Sequence, residues 1–393
     1  MKKVLISGAG VAGITLAYWL RRNGFTPTVV ERATSIRDGG YKIDIRGAAL
    51  GVVERMGLLD QIRERVTDVR AGSVVDGRGR RVASMDGDTF GGRSHGDAEI
   101  LRGDLHRLLF EATEGVEYLW GEEIADLHQS ADAVEVTFAG GDTRAFDLVI
   151  GADGVHSPTR GKVFGDGHVR ELGYRVSIFS VPNHLGLDRE ELTYVSPGHT
   201  VLVYSTAQDT GAKAMFLFAD DAPVPADPRQ YLADRYQGEG WEVPALLEHM
   251  GDDFYLDTLS QVHLDRWSAG RVALVGDAAY CASVASGQGT SLALVGAYVL
   301  AGELAAARDH EEGFANYEAE MREFVAANQK LGPANIRRMV LASRAQVRLS
   351  MMFLSLLSKL PGRDKLIAKA VEPIHRAANV ISLKDYPVRC SRA

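Results

Sequence analysis

The sequence predicts an α/β protein, a doubly wound domain built on a parallel sheet, with an inserted antiparallel sheet and a long C-terminal helix. Three observations carry this reading. The chain opens on a β-branched run, a glycine turn and a helical repeat. Two later apolar runs, Leu148-Val-Ile150 and Arg271 to Val275, end in glycine as buried parallel strands do. Between 170 and 265 the texture changes to alternation, as in Arg175-Val-Ser-Ile-Phe and Ala214-Met-Phe-Leu-Phe, which fits an antiparallel layer.

Taken in order, Lys3 to Ser7 form the first predicted strand, and Ile14, Leu16, Ala17 and Leu20 continue as a helix that Gly24 ends. Thr28, Val29 and Val30 form the second strand, closing on Glu31 and Arg32. Leu50, Val53, Met56, Leu59 and Ile62 repeat at helical spacing, as do the residues from Leu105 to Ala112 after Arg102. Residues 116 to 150 read as short strands broken at Gly140-Gly141. From Leu292 the chain is mostly helical to Leu360, where Pro361 stops it.

Composition narrows the function. The 393 residues are 46% hydrophobic and 24% charged, which excludes a disordered, collagen-like or disulfide-dense chain. Glycine, with 42 residues, exceeds the usual share of about 7% and points to turns or close backbone approaches to a ligand. The net charge of −8 gives no sign of nucleic-acid binding. It conceals a tail of +10 from Lys330 onward and a body of −18. Cys281 and Cys390 make no disulfide framework, and no cysteine or histidine cluster has metal spacing, so no metal and a cytoplasmic setting are expected. Met1 to Leu20 resembles a signal peptide only until its glycines interrupt it, and the charge-free stretch 278–302 reads as a buried loop plus helix.

Gly8-Ala-Gly10-Val11-Ala12-Gly13 lies between the first strand and helix. The first glycine permits the tight turn, the second the approach of a pyrophosphate, and the third the packing of helix on sheet. Glu31, eighteen residues past Gly13, stands where a carboxylate accepts from ribose hydroxyls. This unit alone does not settle which dinucleotide binds.

Two further segments do: Asp147-Leu-Val-Ile-Gly-Ala-Asp153-Gly154-Val-His-Ser157-Pro-Thr-Arg160, and Gly270-Arg-Val-Ala-Leu-Val-Gly276-Asp277-Ala-Ala followed by Gly287-Gln288-Gly289. With them the chain resembles the FAD-dependent aromatic hydroxylases of the p-hydroxybenzoate hydroxylase type, closest in look to the tetracycline-inactivating monooxygenase branch. The resemblance implies a Rossmann-like FAD-binding domain from 1–70, 96–170 and 266–325, a substrate domain from 71–95 and 171–265, and a helical segment over 326–393. It places Gly8, Gly10, Val11, Ala12, Gly13, Glu31 and Arg32 at the adenosine and pyrophosphate. Arg102 would lie by the flavin, Asp277 on the ribityl chain, and Gly287, Gln288 and Gly289 at a helix start aimed at the pyrimidine ring. Gly276 belongs to the same cofactor motif, and Asp44 matches a cofactor-contacting aspartate of the tetracycline-inactivating branch. Asp153 would touch FAD and bear on NAD(P)H use, with a structural ion pair to Arg160 as the other reading.

In that family NAD(P)H reduces the flavin, O₂ adds at C4a, and the hydroperoxide oxygenates an electron-rich substrate, so a bulky aromatic or polyketide-like molecule is expected. Tyr194, Tyr204, Phe216 and Phe218 are candidates to line its pocket, with ordinary sheet core as the preferred reading. An FAD-scaffolded cyclase, or a flavin-dependent dehydrogenase or oxidase, remains open. One reason is that Tyr280-Cys-Ala-Ser-Val-Ala-Ser-Gly287 lacks the histidine and prolines usual in relatives. Val295-Gly296-Ala297 likewise stands where many relatives have Glu-Asp-Ala. Finally, Arg337, Arg344, Arg348 and Lys359 fall on one side of a helix expected from Ile336 to Leu360. A solvated stripe is the expected role, and a membrane-surface contact the alternative.

Overall fold

The computed structural model describes residues 2–36, 39–94, 96–223, 225–357 and 363–386. Lys359, Pro361 and Cys390 lie outside them. A six-stranded sheet runs in the order Ser268–Ala269, Val272–Leu274, Leu148–Gly151, Lys3–Ser7, Thr26–Glu31 and Glu117–Trp120, parallel except at its Ser268–Ala269 edge. Its registers set Ser7 beside both Val30 and Gly151, and Gly151 beside Leu274. The loops leaving these strands therefore converge at one carboxyl edge, the place where open α/β sheets bind ligands.

Helices Val11–Arg22 and Gly289–Ala306 pack together against this sheet. The latter is long and apolar enough to cross a membrane, but almost every residue is buried in the largest hydrophobic cluster. Its lack of an amphipathic stripe is what a helix enclosed on all sides requires.

A seven-stranded sheet runs Tyr255–Val262, Val169–Val181, Ala212–Ala219, His199–Tyr204, Glu190–Ser196, Ala71–Val75 and Arg81–Asp86. Strand alternation gives it two apolar faces. One, with Phe179, Val201, Phe216 and Phe218, is covered by helices Pro228–Arg235 and Val243–Glu248 through Leu232, Tyr236, Val243 and Leu246. The other, with Val176, Ile178, Leu217 and Leu259, meets Tyr41, Ala285, Ile336 and Val340. That second face looks toward the parallel sheet.

The tail corrects one expectation. No single helix spans Ile336 to Leu360; helices His310–Met339 and Arg344–Leu357 meet at 95°. The break is chemical. The Ser343 hydroxyl accepts from the Gln346 N–H at 3.2 Å, and the Gln346 side chain accepts from the Ala342 N–H at 2.9 Å, a reciprocal cap that starts a new helix. Arg337 thus belongs to a different helix from Arg344 and Arg348, and the common stripe dissolves. Past helix Arg363–Ala378 the chain returns to the parallel-sheet side, where Lys384 and the Tyr386 hydroxyl reach the buried Glu303 at 2.9 and 2.8 Å.

Candidate active site

The glycine turn is built as its spacing requires. Gly8 has φ +106°, and a Cβ there would stand 2.6 Å from the Ala152 carbonyl oxygen. A Cβ on Gly13 would come within 1.9 Å of the Gly8 oxygen, so helix and turn touch there. Gly10 is different: nothing lies within 4 Å of where its Cβ would be. The open side of the turn faces the converging loops.

At the end of the second strand both Glu31 oxygens are held, Oε2 by the Ala9 N–H and Oε1 by the Ala33 N–H, each at 2.9 Å. A carboxylate has about four lone-pair positions, so two remain to accept from hydroxyls. His106 braces the Ala9 carbonyl at 2.5 Å. Val11 is half-buried, Ala12 is buried against Gly276, and Arg32 is exposed at the strand end.

Asp277 has two properties that hold together only in a cleft. Protein surrounds it closely enough for burial to push its carboxyl above the ordinary range, yet its side chain keeps solvent contact. Arg102 is exposed beside it and lowers that carboxyl in part. Gly289 begins helix Gly289–Ala306 with no side-chain cap and no acidic residue in the first turn. Its free N–H groups and dipole suit partial negative charge.

Several buried polar atoms here have no hydrogen-bond partner among the described residues: Asp44 Oδ1, Arg46 Nε, and both amide atoms of Gln288, whose residue is fully buried. Unsatisfied groups of this kind are costly unless something completes them. Together with the open side of Gly10 and the cleft at Asp277, they fit FAD. Arg46 was not singled out by sequence. It donates to the Gly91 carbonyl, pairs with Asp44 at 2.8 Å, and its N–H reaches Ser291 in the uncapped helix at 3.3 Å.

Asp44 ends a chain of buried and half-buried charges linking the seven-stranded sheet to the antiparallel pair Lys42–Ile45 and Ala98–Leu101. Lys42 lies 2.7 Å from Glu191 and 3.1 Å from Glu99, and Arg93 lies 2.6 Å from Glu99 and 4.0 Å from Asp44. Burial would depress Lys42, but Glu191 and Glu99 outweigh it and raise its pKa. Burial raises Asp44, with Arg46 opposing.

The Asp153–Arg160 ion pair, the other reading of these two residues, is not formed. Asp153 accepts from the Ser157 hydroxyl at 2.5 Å and the Thr159 N–H at 3.0 Å. Arg160 donates to the carbonyls of Val155 at 2.7 Å and Ala278 at 3.0 Å. Each is used to hold a loop, and Arg160 ties the Asp153-Gly154 turn to the segment after Asp277.

The four aromatics that were candidates for the substrate pocket are core, the preferred reading of their alternation. Phe216 and Phe218 are fully buried on the sheet face that the helices cover, and Tyr194 lies in the same cluster with its hydroxyl donating to Glu239 at 2.9 Å. Tyr204 is enclosed under the Lys42 ammonium, which stands 5.0 Å above its ring. Alternation identified a face but not which of the two looks at the cleft.

The proline-less loop is held by hydrogen bonds. Val284–Ser286 forms a single tight turn, preceded by Ser283 at φ +75°. Asn335 donates to the Ala285 carbonyl at 3.0 Å, and Gln261 to that of Ala282 at 3.2 Å. Tyr280 and Gly296 meet in space: a Cβ at 296 would lie 1.9 Å from the Tyr280 hydroxyl. The glycine leaves room for the phenol.

Residues 1–331 match the family model described as FAD binding domain. A flavin-dependent monooxygenase of Legionella longbeachae is 41% identical over 340 residues, covering 84% of this chain and 87% of its own. Uncharacterized protein Rv1260 of Mycobacterium tuberculosis is 47% identical over 350 residues, covering 86% and 94%. The crystal structure of tetracycline destructase Tet(55) superposes with a TM-score of 0.85 at 37% identity, covering 98% of this chain and 99% of that one.

Proposed function

Since the chain belongs to the FAD-binding-domain family of flavin-dependent monooxygenases, we propose that it oxygenates a bulky, electron-rich aromatic or polyketide-like small molecule using NAD(P)H and O₂. Bound FAD supplies the redox chemistry, taking electrons from the nicotinamide and activating oxygen for insertion.

The residues prepare that chemistry. Gly8, Gly10 and Gly13 admit the pyrophosphate, and Glu31 accepts from the adenosine ribose. Asp277 would hold the ribityl chain, with Arg102 at its side. Asp44, Arg46 and Gln288 would complete their hydrogen bonds on the flavin ring system, and the start of helix Gly289–Ala306 would stabilise negative charge on it. Asp153 and Arg160 shape the neighbouring turn.

The observation that carries oxygenation over a purely structural use of FAD is the loop Tyr280–Gly287. Its carbonyls are clamped by Asn335, Gln261 and Gln329, so it keeps a defined shape without proline. A fixed apolar wall is what water exclusion needs. The similarity to a tetracycline destructase makes tetracycline the first probe.

The test is aerobic NAD(P)H oxidation with tetracycline and a panel of polycyclic phenols, coupled to product mass. Substrate-dependent oxidation with gain of one oxygen atom is expected. A flavin that NAD(P)H never bleaches anaerobically, with any of these molecules, would refute the proposal and favour FAD as a scaffold.

A further inference from the structure

We propose that Tyr255, oriented by Asp257 and His156, fixes the substrate by accepting a hydrogen bond from one of its hydroxyl groups. This deepens the monooxygenase reading and rests on it for the nature of the ligand.

Tyr255, Asp257 and Leu259 alternate along one strand, and Leu259 belongs to the apolar face that looks at the parallel sheet. The Tyr255 hydroxyl donates to Asp257 Oδ2 at 2.7 Å. The other Asp257 oxygen lies 3.4 Å from Nε2 of His156, which comes from the turn after Asp153 on the parallel-sheet side. The trio spans the junction between the two sheets.

Like Asp277, Tyr255 is deep and open at once. Burial raises its phenol, with Asp257 adding to the shift and both Tyr41 and Arg102 close enough to contribute, yet 42% of the residue remains accessible. On the strand face it shares with Leu259, so accessible a ring is open to a ligand at the junction of the two sheets. Its single proton is committed to Asp257, so its oxygen offers only lone pairs to a ligand. The matching group is a donor, a phenolic or enolic hydroxyl on a polycyclic molecule. A site built to pair a hydroxyl rejects an analogue that lacks it.

The experiment compares 2-hydroxyanthraquinone with 2-methoxyanthraquinone on the holoenzyme, reading dissociation constants from quenching of flavin fluorescence. Wild type is expected to favour the hydroxyl compound by about tenfold or more. Tyr255→Phe should abolish the preference with flavin content unchanged, and Asp257→Asn should reduce it. A trio that merely clasps the sheets would lower stability in Tyr255→Phe and leave the ratio intact, which overturns the proposal. Equal binding of the two compounds by wild type, or binding of neither, overturns it as well. Hydroxyl discrimination without NAD(P)H turnover would sink the monooxygenase reading alone.

Discussion

Gly296→Ala places a methyl group 1.9 Å from the Tyr280 hydroxyl and 3.2 Å from the ring carbon that bears it. Tyr280 has little room to yield. Its hydroxyl is 3.0 Å from that of Tyr317, its ring centroid lies 4.7 Å from that of Trp267, and burial pushes its phenol up to about 12. Overpacking a core costs about 1–3 kcal/mol, and displacing the hydroxyl from Tyr317 adds about 1 kcal/mol. Against these stands a gain of about 1 kcal/mol from replacing glycine by alanine inside a helix. The single variant should therefore be destabilised by about 1–3 kcal/mol. Tyr280→Phe alone loses the hydrogen bond, about 1 kcal/mol. In the double variant the clash falls to the 3.2 Å contact, which a shift of a few tenths of an ångström relieves, while the helix gain remains. Its stability should return to within about 1 kcal/mol of wild type. Urea unfolding of the four FAD-loaded proteins measures the cycle. Additive effects, or a Gly296→Ala protein as stable as wild type, would refute the packing argument.

The glycine turn yields a contrast between two alanine substitutions. Gly13→Ala drives a methyl group into the Gly8 carbonyl and should unfold or severely destabilise the apoprotein in thermal melts. Gly10→Ala meets no protein atom and should melt like wild type while retaining less FAD after gel filtration. Lys42→Met leaves Glu191 without its cation and should cost about 3–5 kcal/mol in urea unfolding, most of it restored by Lys42→Met with Glu191→Gln. Asp277 is raised in the folded apoprotein, chiefly by burial, so between its unfolded and folded values the native state holds the extra proton. Apoprotein stability should then fall as pH rises through that window. Asp277→Asn should flatten the fall and be the more stable apoprotein above it, though with weaker FAD binding; identical pH curves for the two proteins would contradict the shift.

How much of this was legible in sequence follows from how local each signal is. The turn Gly8 to Gly13, its strand and its helix are consecutive, so hydrophobic period and glycine spacing were enough to place them. The helix break at Val340 was also local. Ser343 and Gln346 stand at capping-box spacing, but the frequent apolar residues on both sides concealed it. The aromatics of the second sheet left two readings open for another reason. A strand covered on both faces has apolar residues at odd and even positions alike, so Phe216 and Phe218 look no different from Met215 and Leu217, which lie on the face toward the cleft.

What remained hidden depends on partners far apart in the chain. Lys42, Glu99 and Glu191 are separated by dozens of residues, and only the pairing of Lys42–Ile45 with Ala98–Leu101, beneath strand Glu190–Ser196, brings them together. Tyr280 and Gly296 show the same limit. Read singly, the tyrosine is a missing histidine and the glycine a missing acid, two losses that weaken the case for a working flavin site. In three dimensions the two positions are one contact: the Tyr280 phenol fills the space that a side chain at 296 would need. A larger residue at 296 would clash with the phenol and a smaller one at 280 would leave a void, so packing sets the two positions jointly.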